Sequence, residues 1–334
     1  AASEIQRRFE ERAGLQAPPQ PVEIVALGTT LPARCSLAEI ESTGDWAAPW
    51  RDTATIVQGA DLAIANLEAV PSDLAEPYRC QETFSFLTPA AMAQGYAFAG
   101  LDVVSLANNH SRDFGGDVLL DGIANLRAAG VQVVGAGANA EEASAPLFVD
   151  VGGVRFAFLA YDNVVGEPYA ASHGSPGTSA FDETRVVADI RAVRSQADAV
   201  VVMLQWGLPE YYQDANAAQR AIAAAAVEAG ADYVYGDGPH VPQGLEFRDG
   251  AFVHYSLGNF IFDQDWCEWT QVGSILRLTF HGGRPVAFRL VPYRIADRHR
   301  PVPLSGADAD AVVALIADAT RQPSDAPARL LCEG

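Results

Sequence analysis

Residues 108–113 read Asn-Asn-His-Ser-Arg-Asp, so Asn108, Asn109, His110 and Asp113 bring amides, an imidazole and a carboxylate into six positions. These are the side chains that polarise a carbonyl, move a proton or ligate a cation. They follow Val103, Val104 and Leu106, an apolar run that reads as a buried parallel strand. Open α/β sheets place their ligand sites just beyond the carboxyl ends of such strands. Four more apolar runs end in the same way. Thr29 follows residues 23–28, Asn66 and Glu68 close residues 61–67, and Gln205 and Trp206, with Glu210 and Tyr211, follow residues 199–204. Asp237 to His240 follow residues 233–235. Carboxylate, amide and imidazole converging from separate strands is the construction of two-metal hydrolases of esters and phosphoesters.

The elements that must position these groups alternate. Strands are expected at residues 23–28, 61–67, 102–106, 131–134, 154–160, 199–204 and 233–235, with helical periodicity at 50–58, 118–129, 186–194 and 216–229. Beyond residue 240 the pattern changes to short strands at 245–247, 252–255, 275–280 and 287–291, separated by Asp249-Gly250 and Gly282-Gly283 turns. These hairpins complete a second sheet or extend the first. Residues 1–20 read as an amphipathic arm marked by Ile5, Phe9 and Leu15 with a Pro-rich linker, residues 21–300 as the main domain, and residues 301–334 as a terminal helix and tail. Residues 167–178 form a Gly/Pro/Ser-rich excursion placed to cover a site.

Composition removes several reaction classes. The chain of 334 residues carries 42 acidic against 22 basic residues, a net charge of −20, and every basic residue is Arg. Nucleic acid and anionic membrane are therefore poor partners, and neither is expected. Without Lys there is no Schiff-base chemistry and no lysine-dependent phosphate loop. No apolar run reaches the roughly 20 residues of a membrane span. Cys35, Cys80, Cys267 and Cys332 are too widely spaced for a zinc knuckle or a dithiol redox motif. An even count points to two disulfides, Cys35 with Cys80 and Cys267 with Cys332, in an oxidising compartment. The expected location is extracytoplasmic or secreted, with any membrane anchor supplied by a removed N-terminal segment.

Several segments together resemble a known family. They are residues 65–68 (ANLE), 102–111 (DVVSLANNHS) with 113–115 (DFG), 134–137 (VGAG), 205–207 (QWG) with 210–211 (EY), 238–241 (GPHV) and 255–262 (YSLGNFIF). In this order and separation they resemble the CapA family of capsule and poly-γ-glutamate synthesis proteins, over residues 22–295. The resemblance implies a metallophosphoesterase-like α/β/β/α sandwich, two mixed sheets flanked by helices, with the site at the strand ends.

The family pattern has Gly-Asp on the first strand, His-Trp-Gly after the apolar strand and His-Pro-His near the last helix; here the three positions are Thr29, Gln205 and Gly238. A bridging carboxylate and two imidazoles are missing, so a binuclear centre is not expected. The cofactor expectation is none, or one divalent ion held weakly by Glu68, Asn109, His110 and His240. The implied role is handling, hydrolysis or transfer of a cell-surface polymer such as poly-γ-glutamate, or of a small-molecule substrate. In that role His110 is the general acid or base, Asn109 and His240 polarise the substrate, and Glu68 orients an imidazole. Asn66, Asp113, Gln205, Trp206, Glu210, Tyr211 and Asp237 are the expected substrate-binding residues. The alternative is a non-catalytic binding or scaffold protein that kept the cleft.

Overall fold

The computed structural model describes residues 20–164, 169–322 and 328–332. The expected helix of the N-terminal arm lies outside the described residues.

The β-branched and aromatic runs fold into two stacked mixed sheets. In the seven-stranded sheet, Val22–Ala26, Leu62–Asn66, Val103–Ser105 and Gln132–Val134 run parallel. The long hairpin Val272–His281 and Arg284–Ala296 adds to it antiparallel, followed by Arg300–Pro303 at the edge. In the six-stranded sheet, Val154–Asp162, Ala199–Gln205, Tyr233–Asp237 and Ala251–His254 are parallel, and Leu147–Val151 and Leu245–Arg248 close the two edges antiparallel. The C-terminal hairpins therefore do both things expected of them, completing one sheet and extending the other.

Alternation along the strands divides the apolar side chains between layers. Ile24, Ile64, Phe156, Phe158, Val201, Tyr233 and Leu276 fill the space between the sheets. Val25, Ala65, Val104 and Leu106 face the helices outside the first sheet. Val200, Val202 and Val234 face Glu183–Arg194 and Ala217–Ala229 outside the second. The result is the α/β/β/α sandwich. Val104 is wholly buried between parallel neighbours, as the apolar run requires. The terminal helix Gly306–Arg321 contributes Val312 and Ile316 to the core between the sheets.

Two local expectations change. Residues 50–58 are not one helix, because Pro49 sits in a 3-10 turn, Ala48–Trp50, and only Ala54–Val57 is α-helical. A ten-residue helix at Arg34–Thr43 escapes the sequence reading because its N-cap is Ala33, which offers no capping side chain. Both disulfides form as expected, Cys35–Cys80 and Cys267–Cys332.

Candidate functional site

The parallel strands of both sheets deliver their carboxyl ends to one rim. A tyrosine from the second sheet locks the first: Tyr235 donates its hydroxyl to the Leu27 carbonyl at 2.6 Å and accepts from the Asn66 N–H at 3.1 Å. Gln205 and Asp237 then lie opposite each other in register at the ends of neighbouring strands. Asn66 reaches Gln205 from the first sheet, its amide donating to Gln205 Oε1 at 3.0 Å.

From Gln205 a chain of amides runs to an imidazole with a fixed polarity. Gln205 Nε2 donates to Glu68 Oε1 at 2.8 Å and to Asn109 Oδ1 at 3.0 Å. Asn109 Nδ2 stands 3.0 Å from His110 Nε2, and Nδ1 of the same ring stands 3.0 Å from Asp113 Oδ2. The Asn109 amide can only donate, so Nε2 accepts and Nδ1 carries the proton toward Asp113. Asp113 is itself fixed by the Phe86 N–H at 2.8 Å and the Tyr169 hydroxyl at 3.2 Å. Asn108 braces the loop from below, donating to Asn66 Oδ1 and the Leu67 carbonyl and accepting from the His110 N–H.

The second imidazole is held separately. His240 Nδ1 bonds Asn259 Oδ1 at 2.9 Å, and its Nε2 faces the Glu210 carboxylate at 4.0 Å. His240 and Tyr211 both occupy the left-handed region, at φ +59° and +68°. Such backbone strain, about 1–3 kcal/mol per residue, persists only where surrounding structure imposes it. An aromatic wall joins the two imidazoles. Phe86 packs on His110 with centroids 4.4 Å apart, Phe262 packs on His240 at 5.1 Å, and the two phenyl rings meet at 6.3 Å. The guanidinium of Arg34 lies over both rings and pairs with Asp263.

Two acids beneath this surface are wholly buried. Burial, reinforced by the carboxylate of Asp237, pushes the Glu68 acid well above the usual carboxylate range, and burial also raises Asp237. Thr29 donates its hydroxyl to Asp237 Oδ1 at 2.6 Å. Gly238 has φ +111°, and a Cβ there would lie 2.4 Å from the Trp206 carbonyl oxygen and 3.3 Å from Gln205 Nε2. Among the described residues no three His, Cys, Asp or Glu side chains are grouped to hold a metal ion.

The strand ends thus bring Asn66, Glu68, Asn109, His110, Gln205, Glu210, Tyr211, Asp237 and His240 to one region, with three roles revised. Trp206 is no ligand platform: it is 1% exposed, stacks on Tyr255 and donates its indole N–H to the Tyr255 carbonyl at 2.8 Å. Gly236 is small enough to admit that indole, since a Cβ would lie 2.5 Å from it. Asp113 is turned toward His110 and its side chain is 2% exposed, so it orients the imidazole instead of meeting a ligand. Glu68 orients neither ring, that work falling to Asp113 and Asn259. Phe86 and Gln264 went unrecognised, because irregular loops carry no period to mark which side chain turns inward. Asn259 and Phe262 stood in the 255–262 segment that carried the resemblance, without an assigned role.

Residues 23–264 match the family described as bacterial capsule synthesis protein PGA_cap. The chain belongs to this family. Among its relatives are the PGA biosynthesis protein CapA of Bacillus subtilis, 37% identical over 165 residues, covering 49% of this chain and 43% of that one. The capsule biosynthesis protein CapA of Bacillus anthracis is 32% identical over 213 residues, covering 63% of this chain and 51% of the other. This capsule synthesis family member therefore spans about half the length of these curated relatives. Among solved structures, the NAD nucleotidase of Haemophilus influenzae superposes with a TM-score of 0.50 at 10% identity, covering 90% of this chain and 56% of that one. That likeness concerns the fold alone, which is of the metallophosphoesterase type.

Proposed function

We propose that this family member handles a poly-γ-glutamate-like capsule polymer outside the cytoplasm, at the cleft between His110 and His240, by acid–base chemistry without a metal ion. One observation carries the reading: His110 is fixed between Asp113 and Asn109, each at 3.0 Å, with its proton on Nδ1. Asp113 stabilises the imidazolium that forms when Nε2 takes a proton from an attacking group, and Asn109 must turn its amide from Nε2 to the substrate for this to occur. His240, with Nδ1 held by Asn259, would present the second proton-transfer group.

The residues present do not fit the binuclear metal centre that the fold implies. Where a cation would join Glu68 to Asn109, the Gln205 amide nitrogen donates to both oxygens. A side chain at position 238 would meet the Trp206 carbonyl. The two disulfides support the extracytoplasmic placement.

The same Gln205 clamp favours a second reading, a non-catalytic binder, because Gln205 and Asn109 spend their amide hydrogens on Glu68, on Asn109 and on His110 and, among the described residues, leave only Glu68 Oε2 and Asp237 Oδ2 of this network without a partner. Oligo-γ-glutamate turnover by the purified protein separates the two. Acid–base catalysis predicts cleavage or transfer that survives chelator and falls by about a hundredfold or more in His110→Ala. Binding without turnover selects the second reading. Absence of both overturns the polymer assignment, and activity that chelator abolishes overturns the metal-free site.

A further inference from the structure

We propose that the two disulfides are positioning elements for the cleft, one for each imidazole: Cys35–Cys80 for His110 and Cys267–Cys332 for His240. The inference builds on the reading of the cleft as the functional site and adds a condition for its assembly, an oxidising compartment.

On the His110 side, Cys80 begins a segment without regular structure that reaches the short strand Leu87–Thr88. Along it, the Thr83 carbonyl accepts from Arg34 at 3.1 Å, and Phe86 packs on His110 while its N–H holds Asp113. The disulfide ties Cys80 to Cys35, which neighbours Arg34 and whose own N–H donates to Asp263 at 3.0 Å. Cutting it frees the segment that seats Phe86. The ring and the N–H that fix the His110–Asp113 pair then lose their anchor.

On the His240 side, Cys267 follows Trp266, whose ring meets Tyr211 at 5.0 Å. Thr270 ties this turn together, donating to the Gln264 and Cys267 carbonyls. Gln264 in turn accepts from Asn259 Nδ2 at 2.9 Å and donates to the Tyr211 hydroxyl at 3.3 Å. The partner cysteine, Cys332, follows a short segment that pairs with the one carrying Tyr211: Leu331 N–H donates to the Tyr211 carbonyl at 2.9 Å and Gln213 N–H to the Arg329 carbonyl at 2.9 Å. One covalent bond thus clamps both the turn that orients Asn259 and the loop that presents Glu210 and Tyr211.

Each staple lies at the end of a chain reaching one histidine, while the core between the sheets contains neither. Local loosening without global unfolding is therefore expected on reduction. The test records imidazole nitrogen resonances, assigned with His110→Gln and His240→Gln, in the full chain. Cys35→Ser with Cys80→Ser should move the His110 signals and leave His240 in place, and Cys267→Ser with Cys332→Ser should do the reverse. Should either pair of substitutions fail to fold, stepwise reduction of the folded wild type by a phosphine, with each open disulfide identified by mass, gives the same readout. Both imidazoles unmoved, or both moved together by either staple, overturns the proposal. The resonances report positioning whether or not any polymer is turned over, so failure here is distinct from failure of the polymer reading.

Discussion

Thr29 donates its hydroxyl to Asp237 across 208 positions of sequence, at 2.6 Å. The contact joins the ends of strands from different sheets and satisfies one oxygen of a buried acid. Thr29→Val keeps the shape and removes the donor. It should cost about 0.5–1.5 kcal/mol, the net worth of one hydrogen bond, because Asp237 Oδ1 keeps the Gly238 N–H at 3.0 Å. Urea unfolding measures this, and an unchanged midpoint would mean Asp237 finds another donor.

Gly238→Ala should cost about 3 kcal/mol or more, combining backbone strain at a positive φ with a clash that neither carbonyl nor sheet can relieve. The nearest atom, the Trp206 carbonyl oxygen at 2.4 Å, belongs to backbone, so no side chain can swing aside. A variant as stable as the parent in the same unfolding experiment would show that residues 236–240 can be rebuilt, reopening the position to a ligating side chain.

If an anionic polymer is the ligand, charge opposes its approach to a protein of net charge −20. Screening then helps association, because the Debye length falls from about 30 Å at 0.01 M to about 8 Å at 0.15 M salt. Affinity for oligo-γ-glutamate, measured by calorimetry, should rise across that interval. A fall would place a basic contact at the mouth of the cleft that outweighs the overall charge.

His254 gives the fold a pH dependence of known sign. Burial lowers its imidazole to about 3, its Nδ1 meets the Tyr233 hydroxyl at 2.9 Å, and Tyr235 packs on its face. Unfolded, the ring takes up a proton near pH 6.5. Its contribution is therefore complete above that pH and falls with acidification, by about 1.4 kcal/mol per unit, until the folded value is reached. Other groups titrate in the same window, so the wild type is compared with His254→Gln. The wild type's advantage should shrink between pH 6.5 and 4, and a constant difference would mean that the folded protein protonates His254 normally.

The sheets and the rim were legible because apolar runs ending in polar residues report both strand and strand end. Asn109, His110, Gln205 and His240 could be placed together from that pattern alone. Trp206 misled for a physical reason: an aromatic after a strand can face a ligand or the core, and only the small Gly236 across from it decides. Asp113 was visible as a carboxylate, but whether it meets a ligand or an imidazole depends on Phe86 and Tyr169, which approach from distant loops. The helix at Arg34–Thr43 lacked a capping signal altogether.

The side-chain amides of Asn66, Asn109 and Gln205 join the strand ends of the two sheets beneath His110. A cleft cross-linked by ions can be emptied and refilled by changing the solution, whereas one cross-linked by amides changes irreversibly when an amide hydrolyses. Deamidation of Asn109 would remove the donor to His110 Nε2 and set a carboxylate where Gln205 now bridges to Glu68. Storage and ageing, and not dialysis, are then what would inactivate a preparation, and the lesion would register as a mass increase at a single asparagine.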